Sequence, residues 1–167
     1  MNRAMNLSKT LMMLIASVLL LGACATQEER AARKAERARM VTAALNAREY
    51  KIDISRMIPS KGPSKSVSSY SIEVRNDSLI SYLPYFGRAY NVPYGGGKGL
   101  NFSAPISKYT EREGKNGQRE IEMTITNSED TYFYVLNVFD NGSSSLYVQS
   151  RNRERISYTG DMIFDRK

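Results

Sequence analysis

An arginine surrounded by aromatic residues near the middle of the chain is the part of the sequence best suited to binding. The aromatic residues around Arg88 are Tyr82, Tyr85, Phe86, Tyr90, Tyr94 and Phe102. Aromatic faces stack on ligands, and a guanidinium binds a carboxylate or a phosphate through paired hydrogen bonds. The candidate binding residues are Tyr85, Phe86, Arg88, Tyr90 and Tyr94. The alternative is structural: the rings hold a long loop over the end of a sheet, and Arg88 caps backbone carbonyls.

The sequence lacks the side chains that most enzymes use for nucleophilic or metal chemistry. It has no histidine and one cysteine, Cys24. Nucleophile pairs of serine or cysteine with histidine are therefore excluded, as are metal sites built on histidine or cysteine. A disulfide within the chain is excluded as well. We expect no catalytic residue, no metal and no cofactor, and a protein that is not an enzyme.

The first 23 residues have the composition of an export signal. Arg3 and Lys9 give the start of the chain a positive charge, and residues 11–21 are almost all apolar. Two small residues, Gly22 and Ala23, follow the apolar run. This order is typical of a secretory signal peptide. The run is about half as long as a membrane-spanning helix requires, so a retained transmembrane helix is not expected.

The segment Leu21-Gly22-Ala23-Cys24 resembles the lipobox of bacterial lipoproteins. The resemblance implies that the Cys24 thiol carries diacylglycerol, that the chain is cut before Cys24, and that the new amine is acylated. Two or three fatty chains hold a protein firmly on a membrane. We therefore predict a signal peptide at 1–23 and a lipid-anchored protein of the cell envelope, on the outer membrane and facing the periplasm or the outside. The alternative is a secreted protein with a free thiol.

The charge of the chain bears on its partners. The formal net charge is +7 at pH 7. In a cytoplasmic protein such a charge would indicate nucleic acid. For an exported protein, anionic lipid or acidic glycan surfaces are the better match. We expect the membrane as a partner through the lipid anchor, an envelope protein or glycan as a second partner, and no nucleic acid.

Residues 24–49 are predicted to form the lipidated N-terminus and a basic helical stalk. From Gln27 to about Glu49 the chain is rich in Ala, Arg and Glu and has no Gly or Pro, which favours a helix. A thin apolar stripe at helical spacing consists of Ala31, Ala35, Ala38, Thr42 and Leu45. Three interpretations stay open: the basic side contacts anionic headgroups, the helix is a solvated spacer, or the stripe docks on the following domain.

Residues 50–167 are predicted to form one antiparallel β domain, so the fold class is mostly β after an N-terminal helix. Apolar residues alternate with polar ones, and turn residues recur at short intervals. About eight strands are expected, with two short separate ones around 100–103 and 106–112. Because most links are hairpins, we expect a meander curled into a sandwich or a partly open barrel.

The dipeptide Asn141-Gly142 predicts a hairpin with a two-residue turn. This turn would place Val135 opposite Val148 and Leu136 opposite Tyr147. The residues then expected on the core face are Phe133, Val135, Leu146 and Val148. Those expected on the other face are Tyr134, Leu136, Val138 and Tyr147. The strand at 132–139 is apolar on both faces, so we expect it to be central and covered on both sides.

Several segments of the domain are distinctive enough to indicate a family. They are SYLPYFGRAY at 81–90, PYG at 93–95, GLNF at 99–102, Asn152-Arg153, and ISYTG at 156–160. Together they resemble the domain-of-unknown-function family numbered 4251, small lipoproteins of anaerobic Gram-negative bacteria. The resemblance covers about Tyr50 to Met162 and implies no activity. The chain departs from the family at Arg155, where proline is more frequent, and in its Gly95–Lys98 loop.

Four glutamates near a predicted turn supply the rival hypothesis of an enzyme. They are Glu111, Glu113, Glu120 and Glu122, on either side of 114–117. Two carboxyl groups in different environments can cleave a glycoside. Because Arg112, Lys115 and Arg119 stand among them, solvated charge is the favoured interpretation. The leading prediction is therefore a non-enzymatic binding or envelope-accessory module, and the alternative is a carboxylate-based hydrolase of envelope glycans.

Overall fold

The computed structural model describes residues 27–90, 100–114 and 117–164. The predicted signal peptide and Cys24 lie outside these ranges. The chain divides into two compact units, Met1–Arg37 and Ala38–Lys167. Among the described residues, no helix is both long enough and apolar enough to cross a membrane.

The predicted N-terminal helix is confirmed: residues 27–47 form helix α1. In the first unit, Arg33 pairs with Glu29 one turn earlier at 2.8 Å, and Ala31 and Ala35 are exposed. In the second unit the buried residues of the helix are Val41 and Leu45.

The apolar stripe was predicted incompletely. Thr42 is exposed, and Val41 is buried in its place. Val41 and Leu45 are four residues apart on one helical face, and they join the hydrophobic core of the β domain. The helix ends at residue 47, and the next residue, Arg48, has a φ of 51° and an N–H that donates to the Leu45 carbonyl. The end of α1 is therefore part of the packed domain.

Eight antiparallel strands follow the helix and close into a barrel. They are β1 (Glu49–Pro59), β2 (Lys65–Arg75), β3 (Ser78–Leu83), β4 (Leu100–Glu113), β5 (Arg119–Thr126), β6 (Thr131–Val138), β7 (Ser143–Ser150) and β8 (Ile156–Ile163). Each strand pairs with the next, and β8 pairs with β1. The mostly β meander is thus confirmed, and it takes the form of a closed barrel.

Side chains from all eight strands fill the interior of the barrel. Along each strand alternate residues point inward, as in β1, where Ile52 and Ile54 are fully buried. Among the described residues, the largest side chains that are fully buried are those of Tyr132, Tyr134 and Tyr158. An eight-stranded barrel is just wide enough for side chains to fill it. The interior is therefore a core.

The two short strands predicted around 100–103 and 106–112 are one continuous strand, β4. Pro105 stands at the point where β4 changes neighbours. Ser78, at the start of β3, pairs with Pro105, and the pairing of β4 with β5 begins at Ile106. Proline has no N–H to give to a ladder, so a position between two ladders tolerates it. The sequence break at Pro105 therefore marks a change of partner.

The hairpin predicted at Asn141-Gly142 has a longer loop than expected. The Phe139 N–H donates to the Ser143 carbonyl, and the Gly142 N–H donates to the Phe139 carbonyl. Gly142 has a φ of 84°. Residues 140–142 thus form a three-residue loop ending in glycine. The predicted register is wrong by one residue, because Tyr134, and not Val135, lies opposite Val148.

The one-residue shift reverses the two faces of β6. Tyr134, Leu136 and Val138 are buried inside the barrel, together with Leu146 and Val148 of β7. Phe133, predicted for the core, lies on the outside and is 42% exposed. The prediction that β6 is covered on both sides is therefore wrong. Its apolar outer face is partly open to solvent.

Candidate binding site at the loop end of the barrel

The loop after β3 pairs with the segment before β8. The Tyr90 N–H donates to the Asn152 carbonyl at 2.7 Å, and the Glu154 N–H donates to the Arg88 carbonyl at 3.0 Å. Ala89 and Arg153 form an isolated antiparallel bridge between these hydrogen bonds. Two segments more than 60 residues apart in sequence therefore form one surface at this end of the barrel.

Tyr85 is part of the framework of this loop. Its hydroxyl lies 2.8 Å from the Arg88 carbonyl oxygen and 3.1 Å from that of Glu154. The guanidinium of Arg153 lies 5.4 Å from the centre of its ring. Burial raises the pKa of the Tyr85 hydroxyl above its usual 10.0. These contacts match the structural interpretation of the ring, with the Tyr85 hydroxyl in the capping role that the sequence suggested for Arg88.

The other candidate residues have more open environments. Phe86 is 51% exposed, with the Lys65 Nζ 4.3 Å from its ring centre. The side chain of Arg88 is exposed, while its backbone N–H lies 3.3 Å from Glu154 Oε2. Tyr90 is 67% exposed. Tyr94 lies outside the described residues.

Beside Tyr90 is a pocket of about 340 Å³. Its lining also includes Ser60, Gln149, Ser150, Arg151, Arg153, Glu154 and Arg155. Among the predicted binding residues that the structure describes, Tyr90 lines this pocket and Tyr85, Phe86 and Arg88 do not. The three arginines were not predicted as site residues, although their alternation in the sequence RNRER at 151–155 was a visible signal.

The backbone that carries these arginines is held from several directions. The Asn152 N–H lies 3.2 Å from Oδ2 of the buried residue Asp130, whose Oδ1 accepts from the Thr131 N–H. The Ser60 hydroxyl donates to the Arg155 carbonyl at 2.6 Å. Together with the loop pairing, these bonds orient residues 152–155 from three other parts of the chain. The guanidinium groups therefore project from a well-ordered backbone.

Positive charge dominates the pocket. Three guanidinium groups line it with one carboxylate, that of Glu154. Within the described part of the chain, no salt bridge joins Arg151, Arg153 or Arg155 to a carboxylate. Ser150 is 6% exposed, and its Oγ has no hydrogen-bond partner among the described residues. The arrangement is suited to an anionic ligand.

The glutamates of the rival hypothesis lie near the turn between β4 and β5. Nη2 of Arg112 contacts carboxylates of both Glu120 and Glu122, and Arg119 pairs with Glu111. Three of the four carboxylates are thus engaged by guanidinium groups, as expected for a charged surface. No cluster of acidic residues within the described ranges is arranged to hold a metal ion.

Comparison with known proteins identifies the family. The family model described as a domain of unknown function, DUF4251, matches residues 32–162. The chain belongs to the DUF4251 family. The match begins inside α1, earlier than the expected start near Tyr50, so the end of the helix belongs to the DUF4251 domain together with the barrel. A comparison with curated proteins finds no match.

A solved structure shares the DUF4251 fold seen here. It is the crystal structure of a DUF4251 family protein from Bacteroides eggerthii DSM 20697, with a TM-score of 0.57 and 16% sequence identity. The alignment covers 79% of this chain and 90% of the other. At this identity the similarity establishes the fold alone.

Proposed function

We propose that this DUF4251 protein is a lipid-anchored, non-enzymatic binding module of the cell envelope. The barrel end around Tyr90 faces its partner. The observation that carries the proposal is the exposed ring of Tyr90, on a backbone fixed by its bond to Asn152, beside three arginines that lack carboxylate partners within the described residues. An exposed ring and unneutralised cations add little to folding stability. They are well placed for contact with a partner.

The filled barrel supports a surface site. The tyrosines Tyr132, Tyr134 and Tyr158 occupy the interior, each with no exposed area. A ligand therefore approaches the barrel from outside, where the loop end offers charge and an aromatic face. The paired glutamates at Arg112 and Arg119 favour a binding role over glycoside hydrolysis.

The N-terminal sequence supports the anchor. Cys24 is the only sulfhydryl in the chain, and it stands directly after the apolar run and two small residues. Acylation there would hold the module on a membrane. The basic residues Arg30, Arg33 and Lys34 of α1 would then lie near anionic headgroups, which attract cations over about a Debye length.

The anchor is tested by feeding cells an alkyne analogue of palmitate and isolating the chain with and without the substitution Cys24→Ser. We expect label and membrane association in the native protein and neither in the variant. An unlabelled native chain would refute the anchor.

The binding surface is tested separately in the lipidated protein. A photo-crosslinking residue placed at position 90 is compared with the same residue at Lys108, which is exposed on β4. We expect a discrete crosslinked envelope component from position 90 and none from position 108. Equal crosslinking from both positions, or none from position 90, would contradict the proposed surface.

A further inference from the structure

We propose that the pocket beside Tyr90 binds an acidic sugar: its carboxylate or phosphate contacts Arg151, Arg153 and Arg155, and its ring stacks on Tyr90. The inference rests on the proposed function and names the chemical class of the ligand.

The charge of the pocket selects an oxyanion. Arg151, Arg153 and Arg155 occupy alternate positions, and the single carboxylate of the pocket, Glu154, lies 3.3 Å from the Arg88 N–H. Guanidinium groups bind carboxylates and phosphates with two parallel hydrogen bonds, and these are among the stronger hydrogen bonds in proteins. A bound anion would add countercharge to a pocket in which three guanidinium groups share one carboxylate.

The hydrogen-bonded backbone of the pocket favours a binding site over a solvated patch of charge. The backbone of residues 152–155 is tied to Asp130, Ser60 and the loop at 88–90. Because the arginines start from a fixed backbone, less conformational freedom is lost when a ligand binds.

The ring of Tyr90 and the size of the pocket select a small cyclic ligand. Tyr90 is exposed over two thirds of its surface, yet its backbone N–H is hydrogen-bonded at 2.7 Å. An exposed aromatic ring on a hydrogen-bonded backbone can stack on a sugar ring. A volume of about 340 Å³ lies at the small end of ligand pockets. It suits one monosaccharide unit with its acidic group.

The test uses the full lipidated chain in micelles of an uncharged detergent. Binding of glucuronic acid, glucose 6-phosphate, glucose and inorganic phosphate is measured by calorimetry and by NMR. We expect both acidic sugars, or one of them, to bind at least tenfold more tightly than glucose or phosphate. Preference for glucuronic acid would indicate a uronic acid of a glycan, and preference for glucose 6-phosphate a phosphorylated sugar.

Substitutions test separately the contact of the arginines with the acidic group and the stacking of Tyr90 on the sugar ring. Arg151→Gln and Arg153→Gln should each weaken binding of the acidic sugar about tenfold, since each removes a charge-assisted contact. Arg39→Gln, at an exposed position on α1, is the matched control and should leave the affinity unchanged. Tyr90→Ala should weaken binding of the sugar, and Tyr90→Phe should preserve it. Melting curves identify any variant that fails to fold. Because Arg153 also contacts the Tyr85 ring, its substitution could disturb the loop, and Arg151→Gln tests the charge without that contact.

The outcomes distinguish this inference from the proposed function. If no acidic sugar binds at millimolar concentration while position 90 still crosslinks in the envelope, the ligand class is wrong and the binding module stands. If inorganic phosphate binds as tightly as the sugars, the role of Tyr90 is wrong. If crosslinking and sugar binding both fail, both proposals fall.

Discussion

The carbonyl oxygen of Asp53 occupies the space that a side chain at Gly160 would need. A Cβ on Gly160 would lie 1.9 Å from that oxygen. Gly160 is buried on β8 and pairs with Ile54 of β1, next to the point where the register of β1 shifts between Ile54 and Arg56. The first and last strands therefore meet closely at a residue without a side chain. The contact lies within the pairing of β1 with β8 that closes the barrel.

We expect Gly160→Ala to destabilise the protein through this overlap. Overpacking of this kind costs about 1–3 kcal/mol, or a fall in melting temperature of about 4–12 °C. Circular dichroism during heating measures the change. Gly62→Ala is the matched control, because Gly62 has a φ of 99° and open space around its Cβ position. The Gly62→Ala variant should lose stability only through the strain of an alanine at positive φ. A loss at Gly160 below about 1 kcal/mol would show that the Asp53 carbonyl moves aside at little cost.

The buried tyrosines should make the protein sensitive to alkali. Burial raises the pKa of Tyr50, Tyr134 and Tyr158 above the usual 10.0. Above pH 10 the unfolded chain loses these protons before the folded chain does. The stabilisation is therefore complete below pH 10 and is lost as pH rises toward the raised pKa values, by up to about 1.4 kcal/mol per pH unit for each group.

Tyrosinate absorbance and circular dichroism, followed together against pH, measure this effect. We expect the buried tyrosines Tyr50, Tyr134 and Tyr158 to ionise only together with the loss of native structure. A single titration of all tyrosines near pH 10 in a chain that stays folded would contradict the burial of these hydroxyl groups.

Tyr85 and Tyr90 should respond differently to substitution, because one supports the loop and the other faces solvent. Tyr85→Phe removes the hydroxyl that contacts the Arg88 and Glu154 carbonyls, at a cost of about 1 kcal/mol. Tyr90→Ala should leave the melting temperature within about 1 °C of the native value. Amide exchange at residues 88–90 should accelerate in Tyr85→Phe alone. Faster exchange in Tyr90→Ala would show that its ring holds the loop.

Arg119 should have a stabilising role in the pairing of β5 with β4. Its guanidinium pairs with Glu111 of β4, and Nη2 also lies 3.3 Å from Asn46 Oδ1 in the helix. A double-mutant cycle with Arg119→Met and Glu111→Gln should yield a coupling energy of about 1 kcal/mol in urea unfolding, since both groups are largely shielded from solvent. The pair Arg33 and Glu29, exposed on the helix, should give a smaller value. Equal coupling in the two pairs would contradict this role.

The elements of the fold were predictable from the sequence because their periodicity is local. Alanine, arginine and glutamate without glycine or proline predicted α1. Alternation at Tyr50, Ile52 and Ile54 predicted β1, since successive side chains of a strand point to opposite faces. The family was also indicated by short segments such as residues 81–90. The anchor at Cys24 and the envelope location are predictions of the same local kind, and the lipid-labelling experiment tests them.

Register and the candidate pocket were decided by the tertiary structure. The turn at residues 140–142 takes one residue more than Asn141-Gly142 suggested, and that difference reverses the faces of β6. The pocket joins Tyr90 to arginines more than 60 residues later, and the barrel must close before they meet. Local alternation specifies that a strand forms, but its partner and register depend on contacts between distant residues. A single glycine, Gly160, shows this dependence, because the sequence around it does not reveal which backbone will pass against it.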